Sequence, residues 1–149
     1  MRALASKRIV FIWILAAVVL GGALGGCSSS SPQTGLEMYP AANLPQGVQD
    51  SAQTVVEAYQ FAVANPEIMQ EIPCYCGCAP MGHTSNYACY VSEVNADGEI
   101  VYDDHALGCS ICVDITQDVM VMLQEGKTVE EIRPIIDQTY SRYGPSNME

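Results

Sequence analysis

The chain has 149 residues, with 17 acidic against 6 basic side chains, a formal net charge of −11 and a pI of about 4.3. Such acidity argues against nucleic-acid binding and against docking on anionic lipid headgroups, because both partners are polyanions. Seven cysteines in so short a chain point instead to disulfides, thiol chemistry or a metal.

Residues 1–26 read as a targeting segment and stand outside fold reasoning. Arg2, Lys7 and Arg8 form a basic start, and Ile9 to Leu20 is an unbroken apolar run of 12 residues. A bilayer-spanning helix needs ~20, so the run fits a signal peptide. It leads to Leu24-Gly25-Gly26-Cys27, which resembles a bacterial lipobox. The resemblance implies that Cys27 carries diacylglycerol, becomes the mature N-terminus and holds an extracytoplasmic domain to the cell membrane. Two or three acyl chains anchor stably where one does not. Processing would remove three of the six basic residues and no acid, leaving 3 against 17 and a charge of −14.

Residues 27–47 carry four serines followed by Pro32, Gly35, Pro40, Pro45 and Gly47. Without an apolar period such a stretch reads as a flexible tether. Residues 48–149 are the expected domain, packed from about Val48 to Tyr143. That is one small unit, of a size whose core is often supplemented by metals or disulfides.

Asp50 with Gln53 suggests a capping box, opening a helix with Val48, Ala52, Val55, Tyr59 and Ala62 on one face. Asn65-Pro66 restarts the helix, Pro66 suiting its first position. Ile68, Met69 and Ile72 are its apolar residues, and Pro73 ends it. Tyr87–Val94 and Glu99–Asp103 read as a hairpin around the turn formers Asn95-Ala96-Asp97-Gly98. This would place Cys89 on the first strand and His105 just past the second. Cys109–Glu125 is the main helix, with Ile111, Ile115, Val119, Met122 and Leu123 inward and Gly126 as its left-handed cap. Thr128 and Glu131 form a capping box for the last helix, whose stripe is Ile132, Ile135, Ile136, Tyr140 and Tyr143, with Pro134 kinking it. The expected fold is mostly α: a small helical domain with one short β-hairpin and a Cys/His-rich centre.

That centre carries the chemistry. Apart from Cys27, all six cysteines and both histidines fall between Cys74 and Cys112, a span of 39 residues. Cys74, Cys76 and Cys78 alternate along one loop. Adjacent C-x-C pairs close a disulfide only with strain, whereas thiolates converge readily on one soft ion. Cys109-x-x-Cys112 opens a helix, where backbone N–H groups favour thiolate. Cys89, His83 and His105 complete a candidate ligand set for copper(I) or zinc(II). Two other readings stay open: six extracytoplasmic cysteines also suit three disulfides, and Cys109/Cys112 also suits thiol exchange. Met81 is a thioether that packs or joins a copper site. Asp114 is a candidate for orienting a ligand, and Asp103-Asp104 reads as a solvated pair. No catalytic motif is visible. A protein donor of metal or thiols would be the expected partner.

At these residues the chain resembles the bacterial lipoproteins defined by a PCYCGC motif. The similarity runs from about Ala58 to Tyr143. It takes in Pro73 to Cys78, His83, Cys89, the stretch from His105 to Asp114, Glu125-Gly126-Lys127 and Glu131-Ile132-Arg133. The family usually has glycine after the third cysteine, where this chain has Ala79, and the resemblance implies no activity. A second, local similarity joins the dithiol and the last two helices to the helical thiol-oxidoreductase of cytochrome c maturation. It implies a redox dithiol and leaves Cys74 to Cys78 unaccounted for.

Overall fold

A computed structural model describes residues 35–148. The targeting segment, Cys27 and the serines after it lie outside the described residues. Chain order is α1 (Gln46–Gln49), α2 (Gln53–Ala64), α3 (Pro66–Met69), β1 (Val91–Val94), β2 (Ile100–Tyr102), α4 (His105–Gly108), α5 (Ser110–Gln124) and α6 (Val129–Tyr140). Three 3₁₀ turns, at Ala41–Asn43, Ala79–Met81 and Tyr87–Cys89, join them. The domain is therefore mostly helical with one antiparallel hairpin. Among the described residues no helix is long and apolar enough to cross a membrane.

Helix α5 is the central element, packing on α2 at one side and on α6 at the other. Ile115 and Val119 of α5 meet Tyr59, Phe61 and Ala62 of α2 and Ile132 and Ile136 of α6 in one fully buried core. Each such isoleucine contributes about 1.5–3 kcal/mol by leaving water. The α5–α6 connection follows the sequence signals. Gly126 adopts φ 85°, and the amides of Gly126 and Lys127 donate to the carbonyls of Leu123 and Met122. Thr128 and Glu131 then form the expected capping box. Pro134 lies inside α6 without ending it.

Several local expectations fail for physical reasons. Asp50 ends α1 and accepts from the Gln46 side chain at 2.8 Å. Helix α2 starts at Gln53 with no side-chain cap, and Gln53 bonds Glu57 instead. Ala52 is exposed. Asn65 precedes Pro66 as expected, but its amide donates to the carbonyls of Glu37 and Phe61 rather than capping α3. In α6, Ile135 and the following Tyr143 are exposed, so the buried stripe is narrower than the apolar pattern. The first strand is also shorter than expected: Tyr87–Cys89 is a 3₁₀ turn, and Cys89 sits there rather than on β1.

Both ends of the packed unit extend further than the expected Val48 and Tyr143. Leu36, Met38 and Tyr39 pack on the core and Leu44 is buried, so the second half of the expected tether belongs to the domain. At the other end Asn147 is bonded into the cysteine loop.

Candidate metal centre

The cysteine loop starts where Pro73 leaves the buried Ile72. Its conformation is held from outside. The Cys74 N–H donates to Asn147 Oδ1 at 2.7 Å, and the Asn147 N–H returns a bond to the Cys74 carbonyl at 3.0 Å. Asn147 Nδ2 also donates to the His83 carbonyl at 3.2 Å. Tyr75 is buried and its hydroxyl donates to Asp137 of α6. Gly77 takes φ 81°, a left-handed conformation that costs other residues about 1–2 kcal/mol, and this reversal lets Cys78 follow Cys76 inward.

Cys109 is the N-cap residue of α5, and Cys112 lies one turn into it. The Cys112 carbonyl accepts from Tyr90 Oη at 2.9 Å, Thr116 Oγ1 at 3.1 Å and Asn86 Nδ2 at 3.3 Å. Those residues tie the helix start to the Tyr87–Cys89 turn, which supplies Cys89. Tyr59 stacks edge-on against Tyr90 with centroids 4.9 Å apart, and its hydroxyl donates to the Asp103 carbonyl at 2.7 Å.

These elements bring the six thiols into one nest. All six are free. The Cys74 sulfur lies 3.4 Å from that of Cys76 and 3.5 Å from that of Cys112, and Cys112 lies 3.7 Å from Cys76. The sulfurs of Cys74, Cys76, Cys78 and Cys89 all lie within 4.8 Å of one another, as do those of Cys76, Cys109 and Cys112. A disulfide would require about 2.05 Å. Four thiolates around a tetrahedral ion at about 2.3 Å stand about 3.8 Å apart, close to the distances seen. The donor set and its spacing thus fit a soft or borderline ion.

Electrostatics favour a cation here. A hydrogen bond from Cys112 holds Cys74 far below the usual thiol range, and the same bond pushes Cys112 up. Burial pushes Cys76 and Cys78 up. Among these four, thiolate is favoured at Cys74 and thiol at Cys76, Cys78 and Cys112, because further buried negative charges would repel the first. A positive ion would remove that obstacle.

The histidines stand beside the sulfurs rather than among them. His83 is buried, with Nδ1 3.6 Å from the Cys89 sulfur and Nε2 3.5 Å from Asp103 Oδ2. His105 Nδ1 lies 3.7 Å from Asp103 Oδ1, and the two rings meet edge-on at 4.7 Å. His83, Asp103 and His105 could themselves hold a metal ion. Asp103, which the sequence pattern placed in solvent, thus joins the candidate site. The missed signal was its position between two histidines, with its carboxylate also accepting the His105 N–H at 2.8 Å. Asp114, by contrast, is exposed.

One side of the nest is open. Cys76, Cys78 and Cys109 line a cleft of about 500 Å³ with Met81, Asp104 and His105. Met81 does not pack in the core: it is 64 % exposed at this cleft. Met122 is buried as expected, and Met120 packs against the core.

The fold and site define a class: a small, mostly helical domain built around a cysteine- and histidine-rich centre with metal-ligand spacing. The family follows from the sequence: residues 18–147 match the model of the protein of unknown function with PCYCGC motif, and the chain belongs to that family. No curated protein and no solved structure matches the chain.

Proposed function

We propose that this protein is a membrane-anchored, extracytoplasmic lipoprotein that holds copper(I) or zinc(II) on its cysteine thiolates. The observation that carries the reading is the sulfur triangle of Cys74, Cys76 and Cys112, with edges of 3.4, 3.5 and 3.7 Å. Three free thiols are that close without a disulfide, at nearly the separation a common ion sets. Cys78, Cys89 and Cys109 extend the shell. His83 faces Cys89 and is oriented by Asp103, the arrangement by which carboxylates tune metal sites from outside the shell.

The test is direct. The full chain, purified anaerobically, is expected to carry metal by elemental analysis, with thiols that alkylate only after a chelator is added. Six thiols locked as three disulfides with no metal would overturn the reading. Binding should release protons, because the ligand thiols that are held protonated must ionise. Affinity should accordingly rise with pH and fall on acidification. An affinity unchanged between pH 8 and pH 6 would count against thiolate ligation. Cys27→Ser should move the protein from the membrane to the soluble fraction with its metal content unchanged.

A second reading is thiol–disulfide exchange at Cys109/Cys112. It is favoured by one observation: Cys109 lines the open cleft while Cys112 is buried. Rapid alkylation of Cys109 without chelator would support it over metal.

A further inference from the structure

We propose that the nest is a two-ion centre in which Cys74 and Cys76 bridge. This rests on the metal reading above and goes beyond it in stoichiometry and in the role of each sulfur.

The thiols form two overlapping groups. Cys74, Cys76, Cys78 and Cys89 make one, and Cys76, Cys109 and Cys112 make the other, with Cys76 common to both. Cys74 also reaches into the second group, 3.5 Å from Cys112. Two four-coordinate ions need eight ligand positions. Six sulfurs fill eight positions only if two of them serve both ions. Cys76 belongs to both groups, and the second bridge is Cys74, which lies 3.4 Å from Cys76 and 3.5 Å from Cys112. One ion then takes Cys78 and Cys89 as its terminal ligands, the other Cys109 and Cys112.

Three further features agree. Of the three sulfur–sulfur distances in the triangle, Cys74 to Cys76 is the shortest, at 3.4 Å. The shared edge of two ion-filled tetrahedra is the short one, so this pair needs the least movement to bridge. The imidazoles do not make up the missing positions, because neither falls in a sulfur group with ligand spacing: His83 and His105 are grouped only with Asp103. Charge also closes sensibly. Two dipositive ions against six thiolates leave a charge of −2, and His83 Nδ1, 3.6 Å from the Cys89 sulfur, is placed to donate an N–H to a terminal thiolate. The thiols that are protonated in the ion-free nest release their protons to solvent on loading.

The experiment titrates the reduced full chain in detergent, without oxygen, with zinc(II) and with cadmium(II). Native mass spectrometry should show saturation at two ions per chain. Cadmium-113 spectra should show two resonances, both coupled to the β protons of Cys74 and Cys76, and each to only one of the terminal pairs. Cys109→Ser should disturb one resonance, Cys78→Ser the other, and Cys76→Ser both. Saturation at one ion, or two resonances sharing no cysteine, overturns the bridged centre while leaving the metal reading intact. No bound ion at all overturns both. The couplings are read on the unaltered chain, so a serine variant that fails to fold does not block the test.

Discussion

Cys109 and Cys112 are delivered by the first turn of a 15-residue helix, whereas Cys74, Cys76 and Cys78 are delivered by a loop with no regular structure. The helix pair needs little external help: i to i+3 spacing places both thiols on one face, and packing of α5 against α2 and α6 sets where that face points. The loop trio has no such internal rule. Its path is imposed by Asn147, Tyr75 and the left-handed turn at Gly77. A site assembled this way is stiff on one side and conditional on the other. Removing a helix contact should shift the balance slightly; removing a loop clamp should disconnect the cysteines.

Asn147→Ala should have the largest effect. It leaves the buried Cys74 N–H without its acceptor and the His83 carbonyl without a donor. At about 1–3 kcal/mol for each unsatisfied buried group, thermal or urea unfolding should show a loss of about 3 kcal/mol. The loop thiols should alkylate faster while Cys112 stays protected. A variant that melts like the parent would mean that the loop holds itself.

Gly77→Ala comes next. No neighbouring atom meets the added methyl, so the cost is backbone strain alone, about 1–2 kcal/mol. Metal affinity should fall by a similar amount, since Cys76 and Cys78 flank the strained residue. Equal stability and affinity in Gly77→Ala would show that the left-handed turn is dispensable.

Asp103→Asn probes the flank where both regions meet the histidines. Asp103 holds His83 against the Cys89 sulfur, and loss of such an outer partner should cost about tenfold in metal affinity, or about 1.4 kcal/mol. Competition with a chromophoric chelator would read this. Unfolding of the metal-free protein should change less. If affinity holds, the His83–Asp103–His105 group is independent of the thiols.

Tyr90→Phe tests the helix side and should be the mildest. The Cys112 carbonyl keeps its bonds from Thr116 and Asn86, so the loss is confined to the Tyr90 hydroxyl's contacts with that carbonyl and with Thr116 Oγ1 at 2.7 Å, about 1 kcal/mol. Alkylation rates of Cys74, Cys76 and Cys78 should not move. A loop that opens in Tyr90→Phe would erase the distinction between the two regions.

Local chemistry decided much of this protein. The 3.6-residue period of α5 and α6, the Gly126 cap and the Thr128–Glu131 box were legible because each depends on residues within a turn of one another. The same holds for Pro66 at the start of α3, and for the placement of Cys109 and Cys112 at a helix start. The concentration of soft donors was legible too, because composition needs no geometry. The tertiary structure alone decided the rest, because those features join residues far apart in the chain. Asn147 clamps Cys74 from 73 residues away. Asp103 becomes a partner of His83 only because the hairpin returns it there; in sequence it is one of two adjacent acids at a turn. Leu36, Met38 and Tyr39 sit in a stretch whose prolines and glycines read as linker, yet they find apolar surface on the core. That Cys76 belongs to both thiol groups follows from no spacing along the chain, since a shared ligand is a property of three dimensions.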